Sequence, residues 1–191
     1  MQLAKSETLI NLARSFAGEA QAGLRYQFTA KKALKEGYKI LSDKIKALAK
    51  NEVNHARVFF EAIVDNIGNT DNITFTAGFP YLGKTLEEGL RFAVKAENDE
   101  VEIYQKFSEI AKNEGFTEIA QKFNMIAEVE RRHADVFNQL HKDFVNGNLY
   151  NANEPFMWVC SECGHIETSI SAWNVCPLCS STQGFVELKL Q

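Results

Sequence analysis

Two copies of the short pattern Glu-x-x-His lie in the first three quarters of the sequence, and a further glutamate precedes each copy at the same interval. The residues concerned are Glu19, Glu52 and His55 in the first half, and Glu97, Glu130 and His133 in the second. Residues three apart share one face of a helix, so the glutamate and histidine of each pair can bind the same ion. Carboxylate and imidazole ligands suit iron or manganese, and this set is typical of helical bundles that bind two metal ions.

Four cysteines form two Cys-x-x-Cys pairs near the end of the sequence, with twelve residues between the pairs. They are Cys160, Cys163, Cys176 and Cys179. Four thiolates at this spacing make a tetrahedral site for zinc or iron, and the spacing alone slightly favours a zinc ribbon. Two redox-active dithiols without a metal are the weaker alternative.

A helical pattern surrounds the glutamates and histidines, with apolar residues at steps of three and four from residue 5 to about residue 145. Gly37 and Gly115 interrupt it briefly, and a longer break over residues 66–83 contains three glycines and a proline. The predicted helices span residues 4–36, 40–66, 84–114 and 117–145. Two short connections and one long one predict an antiparallel four-helix bundle with a crossover.

An internal repeat places the candidate ligands at one height in this bundle. When Glu19 is aligned with Glu97, the other ligands of the two halves also coincide, and Gly37 falls on Gly115. In a helix, each lone glutamate would lie about five turns before its glycine, and each Glu-x-x-His glutamate about four turns after it. These are similar distances along the two helices of a hairpin. We therefore expect all four glutamates to meet in one layer of the core.

Each helix carries an inward apolar stripe that only this layer interrupts. The stripes are Leu12, Phe16, Glu19, Gly23 and Tyr26; Leu48, Glu52, His55 and Phe59; Leu90, Val94, Glu97, Val101 and Tyr104; and Ile126, Glu130, His133 and Phe137. Burying one unpaired carboxylate costs several kcal/mol, so bound cations best explain four in one layer. Tyr26 and Tyr104 are either core residues or hydroxyl partners that orient the glutamates.

A change of composition marks a second unit. Residues 147–155 are rich in asparagine and end in a proline, which is typical of a linker between a bundle of residues 1–146 and a module of residues 156–191. Short β-like runs around residues 158–159 and 185–188 frame the cysteines. The expected module is small and built around its metal site.

Charge and hydropathy exclude several other classes of protein. The net charge of −4 argues against a nucleic-acid partner, because phosphate binding needs a basic surface. No long apolar run predicts a membrane span, and the first residues lack the basic and apolar stretches of a secretory signal. A cytoplasmic location is therefore expected, and in a reducing compartment paired cysteines indicate a metal site rather than disulfides.

One additional carboxylate in the second half of the repeat narrows the choice of family that the sequence resembles. Glu100 lies one turn beyond Glu97 on a nearly inward face, whereas Ala22 occupies the equivalent place in the first half of the repeat. The extra glutamate resembles the rubrerythrin pattern, and the Cys-x-x-Cys-Gly and Cys-Pro-x-Cys turns resemble rubredoxin. The resemblance covers both units and implies a mainly α, ferritin-like bundle with a rubredoxin-like β module. It implies two non-haem irons in the bundle and one iron on the cysteines, where zinc can substitute.

The resemblance also implies a function. Rubrerythrins use a di-iron site to reduce hydrogen peroxide, protecting against oxidative stress, with electrons passed one at a time through the cysteine-bound iron. In the family one iron shifts with redox state between the extra glutamate and the opposing histidine, which correspond here to Glu100 and His55. An external NAD(P)H-dependent donor protein and a head-to-tail homodimer are further expectations. The alternatives are a ferritin-like ferroxidase that handles iron, and a structural protein with zinc at the cysteines.

Overall fold

Four long antiparallel helices dominate the structure, a computed structural model that describes residues 2–68 and 72–189. The helices are α1 Glu7–Lys35, α2 Lys39–Ile67, α3 Leu86–Asn113 and α4 Thr117–Val145. A two-stranded antiparallel sheet follows, with strands β1 Asn151–Val159 and β2 Ile166–Ser171. The predicted fold class, a four-helix bundle with a crossover and a small β module, is confirmed. Within the described residues, no helix is both long and apolar enough to cross a membrane.

The two hairpin turns have the same construction, as the repeat predicts. Gly37 and Gly115 both have a positive φ, near +90°, which favours glycine. In each turn the residue after the glycine donates its N–H to a carbonyl five residues back, at 2.9 Å from Tyr38 to Ala33 and 2.8 Å from Phe116 to Ala111. This is the Schellman arrangement that ends a helix. It fixes the distance along each helix from the hairpin turn to the glutamates.

The crossover between α2 and α3 runs along α1. The Arg14 side chain donates to the Thr76 carbonyl at 3.2 Å, and the Lys32 side chain donates to the Gly83 carbonyl at 2.8 Å. These contacts are about five turns apart on α1, or about 27 Å along the helix axis. The chain thus returns to the end of the bundle from which α2 started, so α3 runs antiparallel to α1.

Two apolar clusters fill the bundle on either side of the glutamate layer. Leu12, Phe59 and Phe123 belong to the cluster near the start of α1, whereas Leu41 and Phe137 belong to the cluster near the hairpin turn at Gly37. The second cluster continues into the C-terminal module, whose fully buried Trp158 is part of it. The polar layer therefore lies between two dry halves of the core.

The start of the module differs from the predicted linker. β1 begins at Asn151 and so takes in half of residues 147–155, while Leu149 and Tyr150 are buried in the core. Composition suggested a loop, but these side chains cover the end of the bundle and so gain order from tertiary packing. The division into units 1–146 and 156–191 remains a prediction.

Three further details of the sequence interpretation need correction. The predicted strand over residues 185–188 is instead the end of a short 3-10 helix, Gln183–Phe185, followed by a single bridge from Val186 to Cys160. β2 was not predicted, because most of its side chains are exposed and give no alternating pattern. Phe16, placed on an inward stripe, is 39% exposed and packs on Phe60 at the surface.

Candidate metal centres

The structure brings six of the seven predicted bundle ligands into one layer. Glu19 on α1, Glu52 on α2, Glu97 on α3 and Glu130 on α4 are fully buried, and the two histidines are nearly so. Their ligand atoms form two groups, within each of which all atoms lie within 4.8 Å of one another. One group consists of Glu19, Glu52, His55 and Glu130, and the other of Glu52, Glu97, Glu130 and His133.

Two glutamates are shared between the groups, and each divides its oxygens between them. Nδ1 of His55 lies 2.8 Å from Oε1 of Glu130 and 3.1 Å from Oε2 of Glu52. Nδ1 of His133 lies 2.9 Å from Oε2 of Glu130 and 3.0 Å from Oε1 of Glu52. Each carboxylate thus presents one oxygen to each histidine, the arrangement of ligands that bridge two adjacent ions.

The lone glutamates complete the two groups symmetrically. Oε2 of Glu19 is 3.7 Å from Nδ1 of His55, and Oε2 of Glu97 is 3.8 Å from Nδ1 of His133. Their other oxygens accept hydrogen bonds from tyrosines across the bundle, Tyr104 to Glu19 at 2.5 Å and Tyr26 to Glu97 at 2.6 Å. Each tyrosine therefore engages one oxygen and leaves the second oxygen facing a histidine.

The donor set fits metal ions because many of its atoms have no other partner. Buried side-chain atoms without a hydrogen bond include Glu19 Oε2, Glu52 Oε1, Glu97 Oε2, both oxygens of Glu130 and Nδ1 of His133. His133 Nδ1 is near carboxylate oxygens but is poorly oriented for a hydrogen bond to them. Unpaired buried groups of this kind are costly, and two divalent cations would satisfy all of them at once.

The shifted pKa values of the layer show that its carboxylates are unfavourable as buried charges without cations. Burial raises the pKa of Glu97 to about 8 and the pKa of Glu19 well above its usual range. Burial alone would lower the pKa of His55, but its contacts with Glu130 and the other carboxylates raise it to about 12. Protons therefore occupy positions that metal ions would take, so metal binding must release protons.

The two histidines differ in their outer contacts, which the sequence analysis did not anticipate. Nε2 of His133 is 3.2 Å from the side-chain amide of Asn51, but Val129 takes the place of Asn51 in the other half of the repeat. Among the described residues, no hydrogen bond to Nε2 of His55 is found. The amide nitrogen of Asn51 faces Nε2 in the structure; an amide rotated by 180° would bring Oδ1 there, where it would accept the ring proton and leave the Nδ1 lone pair for a metal. His133 is thus fixed and His55 is not.

Glu100 lies close to the layer but belongs to neither group. Its Oε2 is buried without a hydrogen-bond partner, and burial raises its pKa well above the usual range, helped by the nearby charges of Glu19 and Glu97. Glu100 is also one of the residues that line a cavity between α1 and α3. Its role as an additional ligand remains a prediction.

The four cysteines converge in the C-terminal module. The sulfur of Cys160 is 3.8 Å from that of Cys179, and the sulfur of Cys163 is 3.7 Å from that of Cys176. A disulfide requires about 2.05 Å, whereas a tetrahedron with metal–sulfur bonds of about 2.3 Å has edges of about 3.8 Å. The observed distances therefore match a four-thiolate metal site.

Both cysteine turns hold their sulfurs in the same way. Gly164 donates its N–H to the Cys160 carbonyl at 2.8 Å, and Ser180 donates to the Cys176 carbonyl at 2.9 Å. The Ser181 hydroxyl lies 2.7 Å from the Cys179 sulfur and lowers the pKa of that thiol to about 6. A thiol with a lowered pKa is readily available as a thiolate ligand.

The bundle with its carboxylate–histidine layer defines a ferritin-like protein, extended here by a four-cysteine module. A family model described as Rubrerythrin matches residues 11–83 and 88–156. The chain is 35% identical over 185 residues to a rubrerythrin of Clostridium perfringens, covering 96% of this chain and 94% of the relative. It is 37% identical to a rubrerythrin of Porphyromonas gingivalis, covering 95% and 90%. The chain belongs to the rubrerythrin family.

Solved structures agree with this fold. Nigerythrin in a mixed-valence state aligns over 97% of this chain and 90% of its own, with a TM-score of 0.63 and 21% identity. A bacterioferritin of Desulfovibrio desulfuricans aligns with a TM-score of 0.67 and 22% identity, but covers only 74% of this chain and 82% of its own. The uncovered quarter of this chain is about as long as the C-terminal module. The chain thus has a carboxylate–histidine di-iron site in the bundle and a four-cysteine iron site in the module.

Proposed function

We propose that the protein reduces hydrogen peroxide to water at the glutamate layer of its bundle. One observation carries this proposal: Glu52 and Glu130 each give one oxygen to the His55 side and the other to the His133 side. Conversion of hydrogen peroxide to two waters needs two electrons and two protons at one place. Two adjacent ferrous ions supply the two electrons together.

The residues of the layer and their neighbours would position the two ions that give these electrons. Glu19 and Glu97 would hold the ions through the oxygen that faces a histidine, because a tyrosine engages the other oxygen. With its amide rotated to place Oδ1 at Nε2, Asn51 would hold the ring proton there and keep the Nδ1 lone pair of His133 directed at the layer. The apolar clusters above and below the layer keep bulk water away from it.

Glu100 and His55 are proposed to alternate as ligands of one ion, as the family resemblance implies. Two features support this role. In the part of the chain that the structure describes, His55 has no outer partner of the kind that Asn51 provides for His133, so it is the less constrained of the two rings. The Oε2 atom of Glu100 is buried and free to bind.

Electrons would reach the bundle from the cysteine-bound iron, which takes them singly from an external NAD(P)H-dependent protein. Zinc has no redox chemistry and could not serve this purpose. A head-to-tail homodimer would bring the module of one subunit to the bundle of the other. Exposed apolar side chains on one face of α1 and α2, including Phe16, Val53 and Phe60, support such pairing.

Rapid mixing of the fully reduced, iron-loaded protein with hydrogen peroxide or with dioxygen tests the proposal. We expect reoxidation by peroxide to be much faster, and Glu52→Gln to slow it at least a hundredfold. Glu61→Gln is a matched control, since Glu61 is a half-exposed glutamate on the same helix and, among the described residues, it pairs with Arg57 alone. Faster reoxidation by dioxygen would contradict the proposal and favour the ferroxidase alternative. A colourless cysteine site would exclude the electron-transfer role.

A further inference from the structure

A large cavity lies between α1 and α3, beneath the part of the crossover that runs from Thr76 to Leu82. Its volume is about 590 Å³. Glu100 and Tyr104 form part of its wall, and the Tyr104 hydroxyl is bonded to Glu19. The cavity therefore extends from the surface to residues that adjoin the glutamate layer.

The cavity is much larger than hydrogen peroxide requires. A water molecule takes up about 30 Å³ in the liquid, so a molecule with two oxygens fills on the order of a tenth of this space. Cavities of about 300–1,000 Å³ are the size that small organic ligands occupy. Water alone is also a poor filling, because most of the surface is hydrocarbon.

The apolar wall comes from two parts of the chain. Phe79 and Leu82 belong to the crossover, and Phe92, Ile103 and Phe107 lie on α3. These side chains offer aromatic and aliphatic surface to a ligand. Such surface favours an alkyl or aryl group over a small polar molecule.

The inner end of the cavity is polar. Ser15 is almost fully buried, and its hydroxyl has no hydrogen-bond partner among the described residues. The buried Oε2 of Glu100 also lacks one. Both residues line the cavity, and a side-chain rotation would turn either oxygen towards a hydroperoxide group, which both donates and accepts hydrogen bonds.

We infer that this cavity binds organic hydroperoxides, with the alkyl or aryl group against the crossover and the hydroperoxide group at Ser15 and Glu100. The reaction is ROOH + 2 e⁻ + 2 H⁺ → ROH + H₂O. The O–O bond breaks, the two ferrous ions of the proposed function give the electrons, and solvent gives the protons. The reaction rests on the proposed function, but the binding does not.

Binding is tested on the full-length oxidised protein with 2-phenyl-2-propanol, the alcohol formed from cumene hydroperoxide. We expect saturable binding of one molecule per chain by calorimetry. Ala96→Phe should weaken it at least tenfold, because Ala96 lines the cavity and a phenyl group there would fill it. Ala47→Phe places the same group on an exposed position of α2 and should leave binding unchanged. Absence of saturable binding, or equal binding by Ala96→Phe, overturns the inference.

A second variant guards against misfolding of Ala96→Phe. Ile103→Ala removes hydrocarbon from the wall at a half-exposed position and should weaken binding about threefold to tenfold. Unchanged affinity in a folded Ile103→Ala variant counts against the site.

Kinetics then separate this inference from the proposed function. With reduced protein, Ala96→Phe should slow reoxidation by cumene hydroperoxide at least tenfold more than it slows reoxidation by hydrogen peroxide, which is much smaller. If the alcohol binds but neither peroxide reoxidises the protein, the proposed function fails while the binding site stands. If hydrogen peroxide reacts but the alcohol does not bind, only the present inference fails.

Discussion

The Tyr26 hydroxyl donates to Glu97 at 2.6 Å, and the Tyr104 hydroxyl donates to Glu19 at 2.5 Å. Tyr26 follows Glu19 at the same interval as Tyr104 follows Glu97, so the two halves of the repeat exchange identical hydrogen bonds. Each lone glutamate is thus oriented from the opposite helix. The pair of bonds also sets the register of α1 against α3 at the height of the metal layer.

Replacing Tyr26 with phenylalanine should weaken metal binding more than it harms the fold. Glu97 would lose the partner that holds one oxygen away from the site, and loss of such an outer contact typically costs about 10–100-fold in metal affinity. Titration against a competing chelator measures this change. Tyr81→Phe removes the same hydroxyl at a position that is 98% exposed and should have no effect. Equal affinities of both variants would contradict the role of Tyr26.

This layer could be predicted because the sequence features that indicate it are local and occur in both halves of the repeat. A glycine stop and a fixed count of residues determine the height of each glutamate, and both occur twice. The inward position predicted for Phe16 is wrong, because a helical stripe is wider than the buried seam and the edge of the stripe can face solvent.

Contacts between distant segments were not predictable from the sequence. Asn51 is an ordinary polar residue until α4 places His133 beside it, and the cavity depends on the path of a crossover with no periodic pattern. The asparagine-rich start of β1 has the composition of a linker, and only its packing on the bundle gives it order.

Glu97→Gln should change how the stability of the metal-free protein depends on pH. Burial raises the pKa of Glu97 from 4.5 to about 8, so its stabilising contribution is complete below pH 4.5 and is lost as the pH rises towards 8. Glutamine does not titrate. The difference in unfolding free energy between Glu97→Gln and the parent should therefore grow from pH 5 to pH 8, by at most about 1.4 kcal/mol per pH unit.

Urea unfolding at several pH values, after removal of metals, measures this difference. Glu102→Gln is the control, because Glu102 is an exposed glutamate on the same helix. Parallel curves for Glu97→Gln and the parent would show that Glu97 ionises normally. With metals present the order should reverse, since the variant lacks one charged ligand.

Asn51→Leu should loosen the ion on the His133 side. Without the amide, whose rotated form would accept the Nε2 proton, the proton of His133 is free to move to Nδ1, where it blocks the lone pair. We expect about tenfold weaker binding of one of the two bundle ions, seen as a separation of two steps in a metal titration. Asn54→Leu is the matched control, because in the described part of the chain the Asn54 amide bonds to the Lys50 carbonyl of its own helix and to no other group. Two unaltered steps in Asn51→Leu would contradict this role.

Ser180→Gly should stabilise the cysteine module. Ser180 has a φ of +63°, and a non-glycine residue in this region costs about 1–2 kcal/mol. Gly164 has a φ of +74° in the equivalent turn and shows the preferred residue. The loss of iron–thiolate absorbance on heating should shift to higher temperature in Ser180→Gly and to lower temperature in Gly164→Ser. Shifts of the same sign in both variants would exclude backbone strain as the cause.

Gly184→Ala should displace the module from the bundle. A Cβ at Gly184 would lie 1.8 Å from the carbonyl oxygen of Gly37, in the hairpin turn between α1 and α2, so the two backbones must separate. Separation exposes Trp158, which should appear as a red shift of tryptophan fluorescence and faster proteolysis near residues 146–150. Gly78→Ala is the control, because a Cβ there meets open space. The four-cysteine site should still form in Gly184→Ala, since both of its turns lie within the module. An unchanged emission spectrum in a folded Gly184→Ala variant would mean that this close backbone contact does not hold the module in place.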